Sequence, residues 1–345
     1  MLTIAKLAGT VHRLQQKHIT QGKARRFFLG VSQFSLKEYS SLNAAGRSLG
    51  VNRFTGENRV RRTVSDSSLA DQLQQLLLKE ALTNRTGLWY FSLDHSQFGP
   101  FCVAVLAMNV RSGRAIPLWC QVNLSEAALM LPLLKALGDL LSELEELSPR
   151  LKSVLVMDRW FAADRLFQLL NEHQAYFIAR TKSNKRVQLP WDPSWWRLPI
   201  SELSFLETNV TYRSHKFRLI RSVLKPGMKD DEPWFLLTNL PEEITRRMVL
   251  NRYAERFEIE EAFKDLKWLN RLEWQRVRKS GVIRCLLLFV FLGWWLVWRY
   301  VAQAQVKPKL HPNKQLSWFR LAWEELQRLL YAPLLVTELQ IGVKK

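Results

Sequence analysis

The sequence predicts an α/β fold in which part of the sheet is parallel. Residues 152–158 form an apolar run that ends in an aspartate, residues 161–172 have helical periodicity, and residues 175–180 form the next apolar run. Continuous apolar runs indicate strands that are buried on both faces, and their alternation with a helix is typical of parallel strands. With 345 residues, 47% of them hydrophobic, the chain is long enough for two domains or for one large domain with appendages.

The first 85 residues are polar, basic and patterned as helices. Within residues 41–63 a small-residue helix, a Gly-Val-Asn turn and an arginine-rich helix follow one another, which is a helix-turn-helix outline. In such an outline Arg59, Arg61 and Arg62 would face the groove or the backbone of DNA. Short helix pairs with a glycine turn are frequent, so a purely structural helix pair is the alternative.

From residue 88 the pattern changes to strands. Apolar runs separated by Gly, Pro, Asn and Ser predict a meander at residues 88–94, 101–108 and 115–122, followed by an amphipathic helix at about 124–144. Residues 183–231 then break into short alternating segments rich in Lys, Arg and Trp, which predicts a β-rich insertion. A core strand is predicted after it, at residues 233–239.

Two aspartates stand at the ends of predicted strands. Asp94 ends the first strand of the meander, and Asp158 ends the later apolar run. Ligands of open sheets collect beyond the carboxyl ends of parallel strands, and carboxylates without His or Cys partners suit Mg²⁺ or Mn²⁺ better than zinc. Each aspartate also has a structural alternative: Asp158 would cap the following helix, and Asp94 would belong to a turn.

A later segment places four polar side chains at helical spacing. Tyr253, Arg256, Glu260 and Lys267 follow one another at offsets of three, four and seven residues, so one helix would carry them on a single face. A carboxylate between two cations and a phenol suits phosphate and metal binding. The opposite flank would dock on a core through three apolar residues, Ile259, Phe263 and Leu266. The alternative is a surface helix of mixed charge, with Lys267 merely solvated.

The pattern Tyr-x2-Arg-x3-Glu-x6-Lys at residues 253–267 resembles the signature of the IS4 family of cut-and-paste DNA transposases. The resemblance covers about residues 85–305. It implies a ribonuclease-H-like catalytic core with a β-rich insertion, preceded by a helical N-terminal DNA-binding region and followed by a helical C-terminal segment. It also implies a catalytic Asp-Asp-Glu metal site, made by Asp94, Asp158 and Glu260, that binds two Mg²⁺ or Mn²⁺ ions.

The resemblance further implies an activity and its partners. Such a transposase acts as a homodimer on double-stranded DNA: it binds terminal inverted repeats, cleaves the ends by hydrolysis and joins the 3′-hydroxyl ends to target DNA. Tyr253, Arg256 and Lys267 would hold the transposon-end strand. Lys182 and Lys185, at the mouth of the insertion, would contact the DNA backbone, with solvated charge as the alternative.

Two aromatic residues suggest a hairpin intermediate. In a hairpin-forming relative, a Trp before a Leu-rich strand engages a base flipped out of the duplex, and Trp234, 26 residues before Glu260, resembles that Trp. Phe257 occupies the place of a second aromatic residue of that relative. Burial in the core is the alternative for both. Residues 158–161 also resemble the second-aspartate box of the family, in which Trp160 departs from the common glycine.

The charge of the chain indicates the kind of partner it binds, and its cysteines indicate the cellular compartment. The 51 Lys and Arg against 31 Asp and Glu give a formal net charge of +20, which indicates a polyanionic partner. Three isolated cysteines in apolar segments, Cys102, Cys120 and Cys285, predict reduced core residues. We expect a prokaryotic cytoplasmic protein that is nucleoid-associated when bound to DNA.

One apolar run resembles a membrane span. Residues 285–298 are 14 apolar residues without interruption, short of the roughly 20 that a bilayer-spanning helix requires. A buried core helix is therefore favoured over a membrane-bound protein, although tryptophans near the Arg-flanked end imitate an interfacial belt.

The predicted organisation has five parts. These are a helical region at residues 1–85, the first part of the catalytic core at 86–182, the insertion at 183–231, the second part of the core at 232–305, and a C-terminal segment at 306–345 with a helix at about 316–330. Two other functions stay open. One is a catalytically inactive DNA-binding relic or regulator, and the other is a ribonuclease-H-like nuclease or resolvase without strand transfer.

Overall fold

The computed structural model describes residues 4–35, 41–110, 114–191, 198–223, 232–268 and 277–304. The chain divides into two compact units. Unit 1 comprises Met1–Thr83, His95–Pro132 and Glu258–Lys345, and unit 2 comprises Asn84–Asp94 and Leu133–Phe257. The predicted C-terminal helix and the whole segment 306–345 lie outside the described residues.

The secondary structure is mixed, as the sequence predicts. The helices, numbered along the chain, are α1 (Ile4–His18), α2 (Ala24–Gly30), α3 (Leu42–Arg47), α4 (Arg53–Val64), α5 (Ser67–Leu82), α6 (Met130–Leu147), α7 (Asp164–Glu172), α8 (Arg246–Ala254), α9 (Phe257–Trp268) and α10 (Ser280–Ala304). The strands are β1 (Gly87–Phe98), β2 (Phe101–Met108), β3 (Ile116–Asn123), β4 (Leu151–Met157), β5 (Tyr176–Thr181), β6 (Arg186–Val187), β7 (Leu198–Pro199), β8 (Glu207–Tyr212), β9 (His215–Arg221) and β10 (Phe235–Thr238).

Unit 2 is built on a mixed sheet with the strand order β1-β4-β5-β10-β9-β8. β4 pairs in parallel with β1 on one side and with β5 on the other, whereas the pairs beyond β5 are antiparallel. Six of the seven residues of β4 are buried, which explains why its sequence is a continuous apolar run. The predicted parallel portion of the sheet is confirmed.

One face of this sheet carries a core that the following helix completes. Alternate residues of the strands, including Tyr90, Val154 and Ile178, point to the same side and pack with Val249 of α8. The same cluster contains Trp234 and Tyr253, two of the predicted site residues. Helix α8 therefore packs on the sheet through the segment that leads to the signature residues.

The segment predicted as a β-rich insertion contains two pairs of strands. β6 and β7 form a small sheet of their own, whereas β8 and β9 continue the main sheet through β10. The buried Arg218 of β9 fixes the turn after β10: it donates hydrogen bonds to the carbonyl oxygens of Leu240, Pro241 and Ile244 and pairs with Glu207. The insertion is thus joined to the sheet by backbone pairing and by a desolvated charge.

In unit 1 the hairpin of β2 and β3 follows the end of β1 and is almost wholly buried. Helix α10 packs against β3 and α5. This helix is longer than the 14-residue apolar run on which the prediction rested. Among the described residues, it is the one helix that is long and apolar enough to cross a membrane. Because 83% of its apolar window is buried, the structure favours the core helix over a span.

Several element boundaries differ from the prediction. α6 begins at Met130 and not near residue 124, because Asn123 and Ser125 hydrogen-bond to the backbone of Ala128 and hold a turn there. α7 begins at Asp164 because a 3₁₀ turn at Arg159–Phe161 precedes it. The predicted cysteines are confirmed as free and buried.

Candidate active site

Asp94 and Asp158 lie where the parallel pairing of β1 and β4 ends. The register pairs Leu93 of β1 with Met157, the last residue of β4, so each aspartate directly follows the last paired residue of its chain segment. Neighbouring strands are about 4.8 Å apart. The prediction that Asp94 ends its strand is wrong, since β1 continues to Phe98, but the pairing of β1 with β4 does end there. The carboxyl end of a parallel pair thus presents two adjacent carboxylates.

The carboxylate of Asp94 is held by a buried arginine. Arg256 Nη1 donates a 2.7 Å hydrogen bond to Asp94 Oδ2, and the two side chains are only 4% and 13% exposed. The guanidinium carbon of Arg256 also lies 4.8 Å from the ring centroid of Phe257 and 5.6 Å from that of Tyr253. A desolvated, planar cation of this kind fixes the orientation of the carboxylate and neutralises its charge.

Asp158 has a different environment. Its Oδ1 atom is buried and accepts no hydrogen bond from any described residue. The alternative role as a helix cap is wrong, because the side chain makes no capping hydrogen bond to the 3₁₀ turn that follows. A buried carboxylate oxygen without a donor is costly unless a cation or a bound donor completes it. This oxygen is therefore the best observed candidate for a metal ligand.

The structure brings two of the predicted DNA contacts to Asp158. An open pocket of about 530 Å³ adjoins this aspartate, and its lining includes Lys182 and Lys185 from the loop after β5. The lining also contains Trp160, which the sequence placed in the second-aspartate box, together with Arg159, Ala162 and Thr181, which sequence reasoning did not single out. The signal for these three was their position, since Arg159 and Ala162 lie within four residues after Asp158 and Thr181 directly precedes Lys182.

The sequence predicted one helix for the signature segment, and this prediction is wrong. α8 ends at Ala254, a turn at Glu255 and Arg256 intervenes, and α9 begins at Phe257. At this break Arg256 points inward and forms its ion pair with Asp94. The sequence had predicted that Arg256 would instead lie on an exposed polar face shared with Tyr253 and Glu260. Tyr253 is fully buried, and burial raises the pKa of its phenol to about 12, opposed by the nearby charge of Arg256.

Trp234 stands beside the same turn. Its ring is 9% exposed and packs edge-on against Tyr253, at 5.0 Å between centroids, and against Phe257 at 6.0 Å. Its backbone N–H donates to Ser222 Oγ at 2.8 Å. Phe257 is partly exposed, at 36%. Trp234, Tyr253, Arg256 and Phe257 are thus one packed cluster in unit 2.

Glu260 and Lys267 belong to α9 in unit 1. The predicted docking flank is confirmed, because Ile259, Phe263 and Leu266 are buried. The polar flank is held by Arg114, which forms a 2.6 Å ion pair with Asp265. The ammonium of Lys267 lies 5.6 Å from the ring centroid of Phe98, and Glu260 is half-buried.

The donor set suits a hard cation. Asp94 and Asp158 offer carboxylate oxygens, which are the ligands that Mg²⁺ and Mn²⁺ prefer, and Asp158 Oδ1 accepts no hydrogen bond from a described residue. Among the described residues no group of three or more His, Cys, Asp or Glu side chains forms a ready metal cluster. Asp94 and Asp158 are thus the two carboxylates that unit 2 offers where the parallel pairing of β1 and β4 ends.

The N-terminal segment in which the sequence predicts a helix-turn-helix contains the two helices α3 and α4. α3 and α4 cross so closely that a Cβ added to Gly56 would lie 2.2 Å from the carbonyl oxygen of Gly46. Asn52 caps α4 by accepting from the N–H of Phe54. On α4 the predicted contacts Arg59, Arg61 and Arg62 are all exposed, and Arg61 also donates to Asn43.

The fold and the site define a class of protein: a mixed α/β chain with paired aspartates at the carboxyl end of a parallel strand pair. The chain belongs to the transposase DDE domain family, whose model matches residues 102–296. The matched range contains Asp158 and Glu260 and begins after Asp94. A search among curated proteins finds no match.

Proposed function

We propose that the protein is a cut-and-paste DNA transposase of the IS4 type. It binds the terminal inverted repeats of its element, cleaves the ends by metal-dependent hydrolysis and joins the 3′-hydroxyl ends to target DNA. The observation that carries the proposal is the register of β1 and β4, whose last pair is directly followed by Asp94 and Asp158, in a chain of the DDE family. The net charge of +20 supports DNA as the substrate.

Asp94, Asp158 and Glu260 would hold the divalent ions, Mg²⁺ or Mn²⁺. When bound, two such ions activate an attacking oxygen and stabilise a leaving one in phosphoryl transfer. The protein's own groups supply the rest. Arg256 holds Asp94 in one orientation, and Lys182 and Lys185 offer charges to phosphates beside Asp158.

The substrate changes while the same residues act on it. Water attacks a phosphodiester at the transposon end and releases a 3′-hydroxyl. In the hairpin pathway that hydroxyl attacks the opposite strand, a second water reopens the hairpin, and the freed 3′ end attacks target DNA. Lys267, Tyr253 of α8 and Arg256 of the turn after it would guide the transposon-end strand, and the exposed arginines of α4 would bind the repeat.

The hairpin step depends on Trp234 and Phe257. An extruded base needs an aromatic surface to offset its lost stacking. Phe257 offers part of its ring in the described conformation, whereas Trp234 would have to separate from Tyr253 to receive a base. We propose that this happens in a homodimeric complex on DNA, in the prokaryotic cytoplasm.

A cleavage assay tests the proposal. The substrate is a duplex carrying the inverted repeat that flanks the gene, incubated with Mg²⁺ or Mn²⁺. We expect cleavage by the wild type and by the Asp139→Ala control, an exposed carboxylate on α6, and no cleavage by Asp94→Ala, Asp158→Ala or Glu260→Gln.

The products separate the competing functions. Hairpin ends followed by joined DNA support the complete pathway. Cleavage without joining points to a nuclease or resolvase. A wild type that binds the repeat but is as inert as its variants is a DNA-binding relic or regulator, and the catalytic proposal is then wrong.

A further inference from the structure

The pocket beside Asp158 combines three kinds of group. Arg159, Lys182 and Lys185 supply positive charge, and Trp160 supplies an aromatic surface. The lining also contains Thr181, whose Oγ1 atom is buried and, in the described part of the chain, has no hydrogen-bond partner. Together with Asp158 Oδ1, the pocket lining thus includes two buried oxygens that have no hydrogen-bond partner among the described residues.

The position of Trp160 is fixed by its neighbours. It lies in the 3₁₀ turn Arg159–Phe161, whose Phe161 N–H donates to the carbonyl oxygen of Asp158. The ring of Phe161 is fully buried and meets the Trp160 ring edge-on, with centroids 4.8 Å apart. Because Phe161 anchors the turn in the core, Trp160 stays next to Asp158. Its side chain is half-buried, with part of its surface open to the pocket.

These groups match the parts of one nucleotide. Cations bind a phosphate, an aromatic face stacks on a base of any sequence, and a hydroxyl such as that of Thr181 bonds to sugar or phosphate oxygens. An apolar protein partner would leave the cations unpaired, whereas a polyanion satisfies them. The lining therefore favours a strand of nucleic acid over an apolar peptide, because the strand offers both a phosphate for the cations and a base for the aromatic ring.

We infer that Trp160 stacks on a base of the DNA strand whose phosphate Lys182 and Lys185 bind beside Asp158. The inference rests on the proposed function and deepens it, because it assigns the accessible base-stacking position to the turn after β4. Trp234, packed between Tyr253 and Phe257, is not accessible in the same conformation.

Binding to two oligonucleotides tests the stacking. The probes are a fluorescein-labelled oligothymidylate of about 12 nucleotides and an abasic strand of equal length, measured by anisotropy at elevated salt to suppress non-specific contacts. We expect the wild type to prefer the oligothymidylate, Trp160→Ala to lose about 5- to 100-fold of affinity for it alone, and Trp160→Phe to retain most of that affinity.

Matched variants separate stacking from charge and from folding. Trp89→Ala removes a half-buried tryptophan near the amino end of β1 and should leave both affinities unchanged. Lys182→Ala and Lys185→Ala should weaken both probes equally, whereas Lys152→Ala, an exposed lysine of β4, should weaken neither. If Trp160→Ala and Trp160→Phe both bind the two probes like the wild type, the inference is wrong.

Cross-linking gives an independent readout of contact. An oligothymidylate carrying 5-iodouracil is irradiated with the wild-type protein, and the modified peptide is identified by mass spectrometry. We expect the peptide that contains Trp160. Cross-links confined to other tryptophans would overturn the inference. Both measurements need no cleavage, so their failure leaves the catalytic proposal standing, and a failed cleavage assay does not affect them.

Discussion

The same isosteric substitution, Asp to Asn, should change the stability of unit 2 differently at Asp94 and at Asp158. Asp94→Asn removes the counter-charge of Arg256, which is 4% exposed, whereas Asp158→Asn removes a carboxylate whose buried oxygen accepts no hydrogen bond from a described residue. Removing one partner of a buried ion pair costs about 3–5 kcal/mol, because the other charge is left uncompensated. We therefore expect Asp94→Asn to destabilise unit 2 by about 3 kcal/mol and Asp158→Asn to leave its stability unchanged or higher.

The assay is thermal unfolding together with hydrogen exchange. For a unit of this size each kcal/mol shifts Tm by roughly 2–4 °C, so Asp94→Asn should lower the transition of unit 2 by about 10 °C. A chain of two units need not unfold in one step, so exchange in peptides from β1 and β4 identifies the transition that belongs to unit 2.

A double-mutant cycle provides the control. Arg256→Met should destabilise unit 2 as Asp94→Asn does, because it removes the guanidinium that pairs with the buried carboxylate. The double variant should be more stable than the sum of the single changes predicts, by about 2 kcal/mol. Additive effects, or equal stability of Asp94→Asn and Asp158→Asn, would refute the buried ion pair.

Three further experiments test the packing. Gly56→Ala should weaken the α3–α4 pair by about 1–3 kcal/mol and reduce duplex DNA binding, because the added Cβ meets the carbonyl oxygen of Gly46. Gly22→Ala is the control, because a Cβ at Gly22 meets no atom, and equal DNA binding by the two variants would contradict the close crossing. Arg218→Met should lower the free energy of unfolding by about 3 kcal/mol, because it removes the hydrogen bonds to three carbonyl oxygens and the ion pair with Glu207. A loss below about 1 kcal/mol, measured by urea unfolding, would contradict this prediction. The three cysteines should react with a thiol reagent at pH 8 only after unfolding, because burial raises their pKa values to about 11 or 12 and so suppresses the thiolate; rapid labelling of the native protein would show that they are accessible.

Much of the core was predictable because the apolar residues of each short segment show which of its faces are buried. β4 is a continuous apolar run because both of its faces are covered, and the flank of Ile259, Phe263 and Leu266 is apolar because it packs inward. The adjacency of Asp94 and Asp158 followed from the same reasoning, since each closes the apolar part of a strand.

The signature segment was predicted less well because spacing does not reveal a break in a helix. Tyr253, Arg256, Glu260 and Lys267 fit helical offsets, yet the turn at Arg256 separates α8 from α9. The attraction between Arg256 and Asp94, 162 residues apart, favours the inward conformation and is invisible to local periodicity. Tyr253 likewise has a polar group but lies in the core, because its ring packs with Trp234.

The sequence alone determined the class of fold, the family resemblance, the basic charge and the identity of the two aspartates that follow the apolar runs of β1 and β4, because each is fixed by local pattern or composition. Tertiary structure alone decided which aspartate is paired with a cation, which is left unsatisfied, and that Trp160 rather than Trp234 has an accessible surface beside Asp158. Pairing and burial depend on residues distant in the chain, and only folding brings those residues together.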